Sequence, residues 1–232
     1  MNDEQKYLFD LQGYILLKGV VPDAVVNSCN AALDRFESMD PADYPTPLCL
    51  GAERTDGNLY ISNILEGDEV FRSLIDLPEV IDVVAEVTGA PYRLNHTYTI
   101  YRWDGGYTGM HMSGTPVIPK CQYRCHDGQM MSTLTKAVFP LLDCAEKDGC
   151  FAVIPGAHKS NFARPWGRHP EENPPLVGLP VEAGDAISFT EALTHSTSPW
   201  TIEENGRSCV FTLYNSLNSK WGIWEPPPGL VE

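Results

Sequence analysis

Apolar residues recur at helical spacing through roughly the first ninety positions and alternate with polar ones after that. Residues 5–20 read as a short amphipathic helix, a turn at Gly13 and a strand over 14–20. Pro22 and Asp23 open a helix reaching about Met39, with Val25, Val26, Cys29, Ala32, Leu33 and Phe36 along one face. Pro41, Pro45 and Pro47 end it in a loop, and a polar, weakly patterned region runs to about Ser62. Residues 63–89 are helical in pattern again, with Pro78 suited to a first turn, Val80, Ile81, Val83, Val84 and Val87 as the apolar face, and Gly89 as C-cap.

From Tyr92 the period becomes two. Strands are expected over 93–101, 134–142, 151–154, 186–189 and 209–214. Two segments interrupt them, 115–131 and 160–180, each long enough for a lid or binding loop. Helices first and short strands later predict a mainly β chain, an antiparallel sandwich or barrel braced by N-terminal helices. One domain is expected over residues 1–232: a helical part to about 91, a β core over 92–216 and a tail over 217–232. The aromatic, proline-rich tail suits either closure of one barrel end or self-association, and no oligomeric state follows.

Composition narrows the function. The 232 residues are 43% hydrophobic and 20% charged, enough for a sizeable core. With 16 basic and 31 acidic side chains the formal net charge is −15, which repels phosphates and argues against a nucleic-acid polymer as partner. The N-terminus lacks a signal-peptide pattern, and no apolar run approaches the roughly 20 residues that span a bilayer. A cytoplasmic protein is expected, with its seven cysteines as reduced thiols, and the charge says little about a small-molecule substrate because a buried site sets its own local field.

The chemistry centres on two histidines. His111 follows the glycine-rich turn at 105–109, where backbone can approach a ligand closely. His195 follows the turn and strand that start at Glu182-Ala183-Gly184-Asp185, and Arg207 lies twelve residues after it. Imidazoles suit iron, copper, nickel or zinc, and an arginine fork suits a carboxylate. Either histidine taken alone is more often a satisfied structural residue.

Together these features resemble the phytanoyl-CoA dioxygenase family. The resemblance is carried by the Gly13-Tyr14 strand, the Gly-Gly turn before His111, the stretch Asp143 to Lys159 that contains Gly149-Cys150-Phe151 and Pro155-Gly156-Ala157-His158-Lys159, Ala183-Gly184-Asp185, His195 and Arg207. It implies a double-stranded β-helix (a jelly roll) that binds Fe(II) and uses 2-oxoglutarate and O₂. It makes His111 and His195 the iron ligands and Arg207 the anchor of the distal carboxylate of 2-oxoglutarate. Tyr101 and Thr135 become candidate contacts to the same cosubstrate.

One residue departs from the pattern. The family's His-x-Asp is His111-Met112-Ser113 here, and a neutral hydroxyl is a poor ligand for Fe(II). The related halogenases carry a small residue at this place and bind chloride on the iron. The resemblance therefore implies radical chlorination, with Ser113, Gly114 and Thr115 as the halide pocket. Three alternatives stay open: Asp127 folding back to restore a hydroxylase, water or Ser113 completing the site, and a non-catalytic jelly-roll binding protein.

Overall fold

The chain is described by a computed structural model covering residues 1–89, 91–116, 118 and 121–215. The residues expected to form the tail, 217–232, lie outside those described. Three helices come first: α1 (Asp3–Gln12), α2 (Asp23–Ser38) and α3 (Pro78–Thr88). Asn2 and Gln5 form a capping box at the start of α1. Gly13 ends it in the left-handed region at φ 88°, where a Cβ would lie 2.5 Å from His158 Nδ1. Val26, Cys29, Ala32, Leu33 and Phe36 form the buried face of α2, as the 3.6-residue period required.

The strands are β1 (Tyr14–Leu17), β2 (Cys49–Leu50), β3 (Asn58–Ser62), β4 (Tyr92–Arg102), β5 (Tyr123–His126), β6 (Gln129–Ser132), β7 (Leu134–Pro140), β8 (Phe151–Val153), β9 (Val177–Gly178), β10 (Ala186–Thr190), β11 (His195–Thr197) and β12 (Gly206–Asn215). Seven form one sheet in the order β1-β10-β7-β12-β4-β3-β2, and β11-β8-β9 form a smaller one. Every pairing is antiparallel. This is the mainly β, jelly-roll architecture that was expected.

The large sheet is covered on both faces. Tyr101, Ala137, Phe139, Ala186, Cys209 and Phe211 pack with the helices. Val138, Ile187, Phe189 and Val210, one residue out of phase, pack with Val153, Leu179 and Val181 between the two sheets. Phe139 and Phe211 meet edge to face at 5.3 Å on the helical side.

Three expectations need correction. The weakly patterned region before residue 63 contains β3, which pairs with β4 from Asn58↔Arg102 to Ser62↔Tyr98. Cross-strand packing, rather than a strong local pattern, holds it. The stretch 63–89 is helical only from Pro78; before that it makes short 3₁₀ turns, Ile64–Glu66 and Glu69–Leu74. Part of the loop over 115–131 is the hairpin β5–β6, turned by Asp127 (φ 50°) and Gly128 (φ 74°), the Asp-Gly pair that a two-residue hairpin turn favours.

Candidate metal centre and its cavity

His111 and His195 are joined through their main chains. Each donates its N–H to the other's carbonyl at 3.2 Å, an isolated antiparallel bridge that brings the ring centroids to 4.1 Å. Each imidazole also uses Nδ1 on a carbonyl two residues earlier, His111 on Gly109 at 2.8 Å and His195 on Leu193 at 2.7 Å. A carbonyl can only accept, so Nδ1 carries the proton and Nε2 keeps its lone pair in both rings. Burial lowers both pKa values, His195 far below the ordinary range with help from His111 and Lys136, and His111 less because Glu191 opposes the shift. Both are neutral imidazoles near pH 7, the form that ligates metals.

Glu191 completes a trio. One donor atom from each of His111, Glu191 and His195 lies within 4.8 Å of the other two. Glu191 directly follows β10, and its N–H donates to the Leu134 carbonyl at 2.9 Å, which fixes it beside β7. Lys136 Nζ lies 3.1 Å from its Oε1 and 3.0 Å from its Oε2. The Oε2 atom accepts no well-aligned hydrogen bond although it is buried. Burial alone would lower the Lys136 ammonium, but Glu191 and Tyr98 raise it above the ordinary lysine value. Two imidazole nitrogens and a carboxylate are a donor set suited to non-haem Fe(II). Sequence reasoning passed over Glu191, although it is the only Asp, Glu, Lys or Arg between residues 186 and 202. A carboxylate inside so apolar a run is seldom buried without a partner.

The centre opens onto a cavity of about 210 Å³ between the sheets. Its wall is formed by Tyr98, Ile100 and Arg102 of β4, by Lys136, Val138 and Pro140 of β7, and by Arg207, Ser208 and Val210 of β12. Burial would raise the Tyr60 hydroxyl, but Arg102, Thr108 and Lys136 bring it below the ordinary tyrosine value.

Of the three residues expected to hold the cosubstrate, Arg207 is among those lining the cavity, while Tyr101 and Thr135 turn to the helical side. Arg207 Nη1 lies 2.5 Å from Asp34 Oδ1 and Nη2 3.2 Å from Glu37 Oε2, both on α2. Tyr101, its cross-strand partner, donates its hydroxyl to the Leu33 carbonyl at 2.8 Å. Thr135 Oγ1 accepts a 2.7 Å hydrogen bond from the Thr88 hydroxyl of α3. Tyr101 and Thr135 are one residue out of phase with the cavity-lining row, and in a strand one residue reverses the face. Arg207 borders the cavity while its guanidinium pairs with α2.

The residues expected to form a halide pocket, Ser113, Gly114 and Thr115, are engaged with neighbouring main chain and with one another. Met112 has φ 61°, so residues 111 and 113 lose the shared face that an extended strand would give them. Gly114 N–H donates to Ala157 O at 3.0 Å, Thr115 N–H to Ser113 Oγ at 3.2 Å and Thr115 Oγ1 to Ser160 O at 2.7 Å. None of the three residues lines the cavity. Asp127 sits at the hairpin tip with an 87% exposed side chain paired to His126, outside the trio.

The sequence model of the phytanoyl-CoA dioxygenases (PhyH) matches residues 9–201. The chain belongs to the phytanoyl-CoA dioxygenase family. With the family comes the enzyme class, that of non-haem iron, 2-oxoglutarate-dependent enzymes. No curated protein matches the chain in sequence. Among solved structures, HygX from Streptomyces hygroscopicus with nickel, 2-oxoglutarate and hygromycin B bound is 22% identical with a TM-score of 0.81, covering 93% of this chain and 88% of its own. The epimerase SnoN from nogalamycin biosynthesis is 18% identical with a TM-score of 0.69, covering 92% and 82%. AviO1 from Streptomyces viridochromogenes Tue57 is 18% identical with a TM-score of 0.65, covering 92% and 94%. At these identities the likeness is one of fold. Among the described residues no helix is long and apolar enough to cross a membrane.

Proposed function

We propose that this protein is an Fe(II)/2-oxoglutarate-dependent oxygenase that oxidises an unactivated C–H bond of a small molecule, with the iron held by His111, Glu191 and His195. The observation that carries this reading is the convergence of Glu191 on two histidines whose Nε2 atoms are held free. Iron(II) with 2-oxoglutarate and O₂ supplies the oxidant that removes a hydrogen atom from such a bond. The protein's own part is to fix three donors, keep both imidazoles neutral and exclude water behind an apolar wall of Ile100, Val138, Phe151, Ile187 and Val210. Lys136 orients the carboxylate and balances its charge before the metal arrives.

Chlorination is the second reading, because Ser113 stands where the family's aspartate is expected. It needs an iron position without a protein carboxylate. Glu191 lies where it can fill that position, so oxygenation is the better fit.

The test is anaerobic visible absorption of the protein with Fe(II) and 2-oxoglutarate, titrated with chloride. Oxygenation predicts a charge-transfer band that chloride leaves in place and that His195→Ala abolishes. A band that shifts with chloride favours halogenation. No band in the wild-type protein returns the chain to the non-catalytic binding protein.

A further inference from the structure

Cys144 and Cys150 stand together on the cavity wall, outside the trio of metal donors, and the proposed reaction does not use them. Both are free thiols, 5% and 2% exposed. The Cys144 thiol lies close enough to hydrogen-bond the Cys150 sulfur. Each sulfur also lies near a carbonyl of the turn that joins them, Cys144 by Ala145 at 3.7 Å and Cys150 by Glu146 at 3.5 Å. The other cysteines differ in setting: Cys29 and Cys209 are buried with the helices, and Cys49 and Cys125 are exposed. Two adjacent thiols whose open side is a cavity can meet a small reagent that the bulk of the core never meets.

Main-chain bonds fix the pair from both ends. Cys144 donates its N–H to the Val181 carbonyl at 2.9 Å and accepts from Val181 N–H at 3.0 Å, and the Cys150 carbonyl accepts from Ser198 N–H at 3.3 Å. Between them the chain reverses through a 3.0 Å bond from Asp148 N–H to the Ala145 carbonyl. Gly149 then takes φ 92°, where a Cβ would lie 2.6 Å from Trp200 Cα. Gly178 of β9 passes so near that a Cβ there would come within 3.0 Å of Cys150 Sγ. The two sulfurs also differ in acidity. The hydrogen bond from Cys144, helped by Leu179 N–H, brings the Cys150 thiol below its ordinary value against burial, while the same contact and burial push Cys144 up. Cys150 is thereby the nucleophile of the pair and Cys144 the holder of the proton.

We propose that Cys144 and Cys150 are a redox-active dithiol, which hydrogen peroxide entering the cavity converts to a disulfide and small thiol reductants restore. In the first step the Cys150 thiolate attacks peroxide: an S–O bond forms, the O–O bond breaks, and the leaving hydroxide takes up a proton as water. In the second the Cys144 sulfur attacks the Cys150 sulfenic acid: the S–S bond forms, the S–O bond breaks, and hydroxide leaves with the Cys144 proton as a second water. Two thiols are oxidised by two electrons and one peroxide is reduced to two waters. A thiol reductant reverses the bond by exchange, itself becoming the disulfide. The closed form ties the Cys144–Val181 bridge to the start of β8, so the wall of the cavity records the oxidation state. The inference stands apart from the proposed iron chemistry.

The experiment exposes the reduced full-length protein to hydrogen peroxide with a metal chelator present, blocks remaining thiols with N-ethylmaleimide in denaturant, and digests with trypsin without reductant. Lys147 lies between the two cysteines, so their disulfide appears in the mass spectrum as peptide 137–147 joined to peptide 148–159, each with a single cysteine. That linked pair is expected to be the main cysteine product, with the loss of two blockable thiols per chain, and dithiothreitol is expected to separate it. A chain carrying Cys49→Ser and Cys125→Ser, which lacks the exposed thiols, is expected to give the same product. Cys144→Ser is expected to strand the oxidation as a sulfenic acid on Cys150, trapped by dimedone, whereas Cys150→Ser leaves Cys144 blockable at the same peroxide dose. Recovery of both peptides as blocked thiols at a dose that fully oxidises free glutathione overturns the proposal. So does Cys150 recovered as sulfinic acid beside a blocked Cys144, or either cysteine joined chiefly to a different one.

Discussion

Replacing Glu191 with glutamine tests the metal centre without using turnover. The amide keeps the volume but removes the charge that faces Lys136 at 3.0 Å. At an effective dielectric of about 20, two unit charges at that separation attract by roughly 5–6 kcal/mol. Both side chains are largely buried, 12% and 6% exposed, so solvent screens the pair little. Stranding one member of such a pair costs about 3–5 kcal/mol, which lowers the melting temperature of a chain this size by roughly 6–20 °C. That loss belongs to the metal-free protein and does not yet identify a ligand. The decisive quantity is the increment produced by a divalent ion within each variant. Nickel(II), inert to air, at a hundred times its dissociation constant stabilises a single site by about 2.7 kcal/mol, roughly 5–11 °C here. If removal of the carboxylate weakens the site a hundredfold, the same nickel concentration gives only about 0.4 kcal/mol. Thermal unfolding followed by circular dichroism, with and without nickel, separates the two effects. Ser113→Ala and Asp127→Ala are expected to keep the full increment. A nickel increment in Glu191→Gln equal to that of the wild-type protein would refute Glu191 as a ligand, whatever the loss in the metal-free state.

Other consequences concern the frame around the centre. Asp185 is 1% exposed and accepts from the Gly19 and Glu182 N–H groups at 3.0 and 2.9 Å, so Asp185→Ala should cost about 2–4 kcal/mol in urea unfolding; a change below 1 kcal/mol would contradict this role. Burial holds His158 at a pKa of about 4, against roughly 6.5 in an unfolded chain. A depressed histidine contributes stability that is present above pH 6.5 and lost as the pH falls toward 4, because the unfolded chain takes up the proton first. The penalty of His158→Asn should therefore shrink by about 2 kcal/mol between pH 7 and pH 5, and an equal penalty at both pH values would count against it. Gly13→Ala forces a left-handed residue against His158 and should cost about 2 kcal/mol or more, read from the same unfolding curves.

How far the sequence could be read depended on which physical signal each element carries. The α2 face was legible because Val26, Cys29, Ala32, Leu33 and Phe36 obey a single period against one core. β10 is buried along its whole length, and its apolar content located it without revealing its two faces. That is where the site reading slipped. On β4 and β7, Arg102 and Lys136 line the cavity while their neighbours Tyr101 and Thr135 turn toward the helices, and Arg207 of β12 borders the cavity with its guanidinium paired on α2. Both faces are covered, so hydrophobic alternation does not tell them apart. The two histidines were singled out because glycine context and family resemblance agreed, and the fold brings them together. Glu191 was overlooked because the expected carboxylate position, two residues after His111, drew attention away from a charge four residues before His195. β3 carries little pattern of its own, and its place comes from pairing with β4.

The main-chain bridge between His111 and His195 also bears on how such a centre can change over time. The separation of the two imidazoles is set by reciprocal backbone hydrogen bonds, which survive substitution of almost any neighbouring side chain. The third donor is consequently a replaceable part: a carboxylate offered from the end of β10 can approach the same pair as one offered from the strand of His111. With a serine at residue 113 and Glu191 beside the two imidazoles, the proposed centre draws its carboxylate from β10 and leaves the histidine platform unchanged.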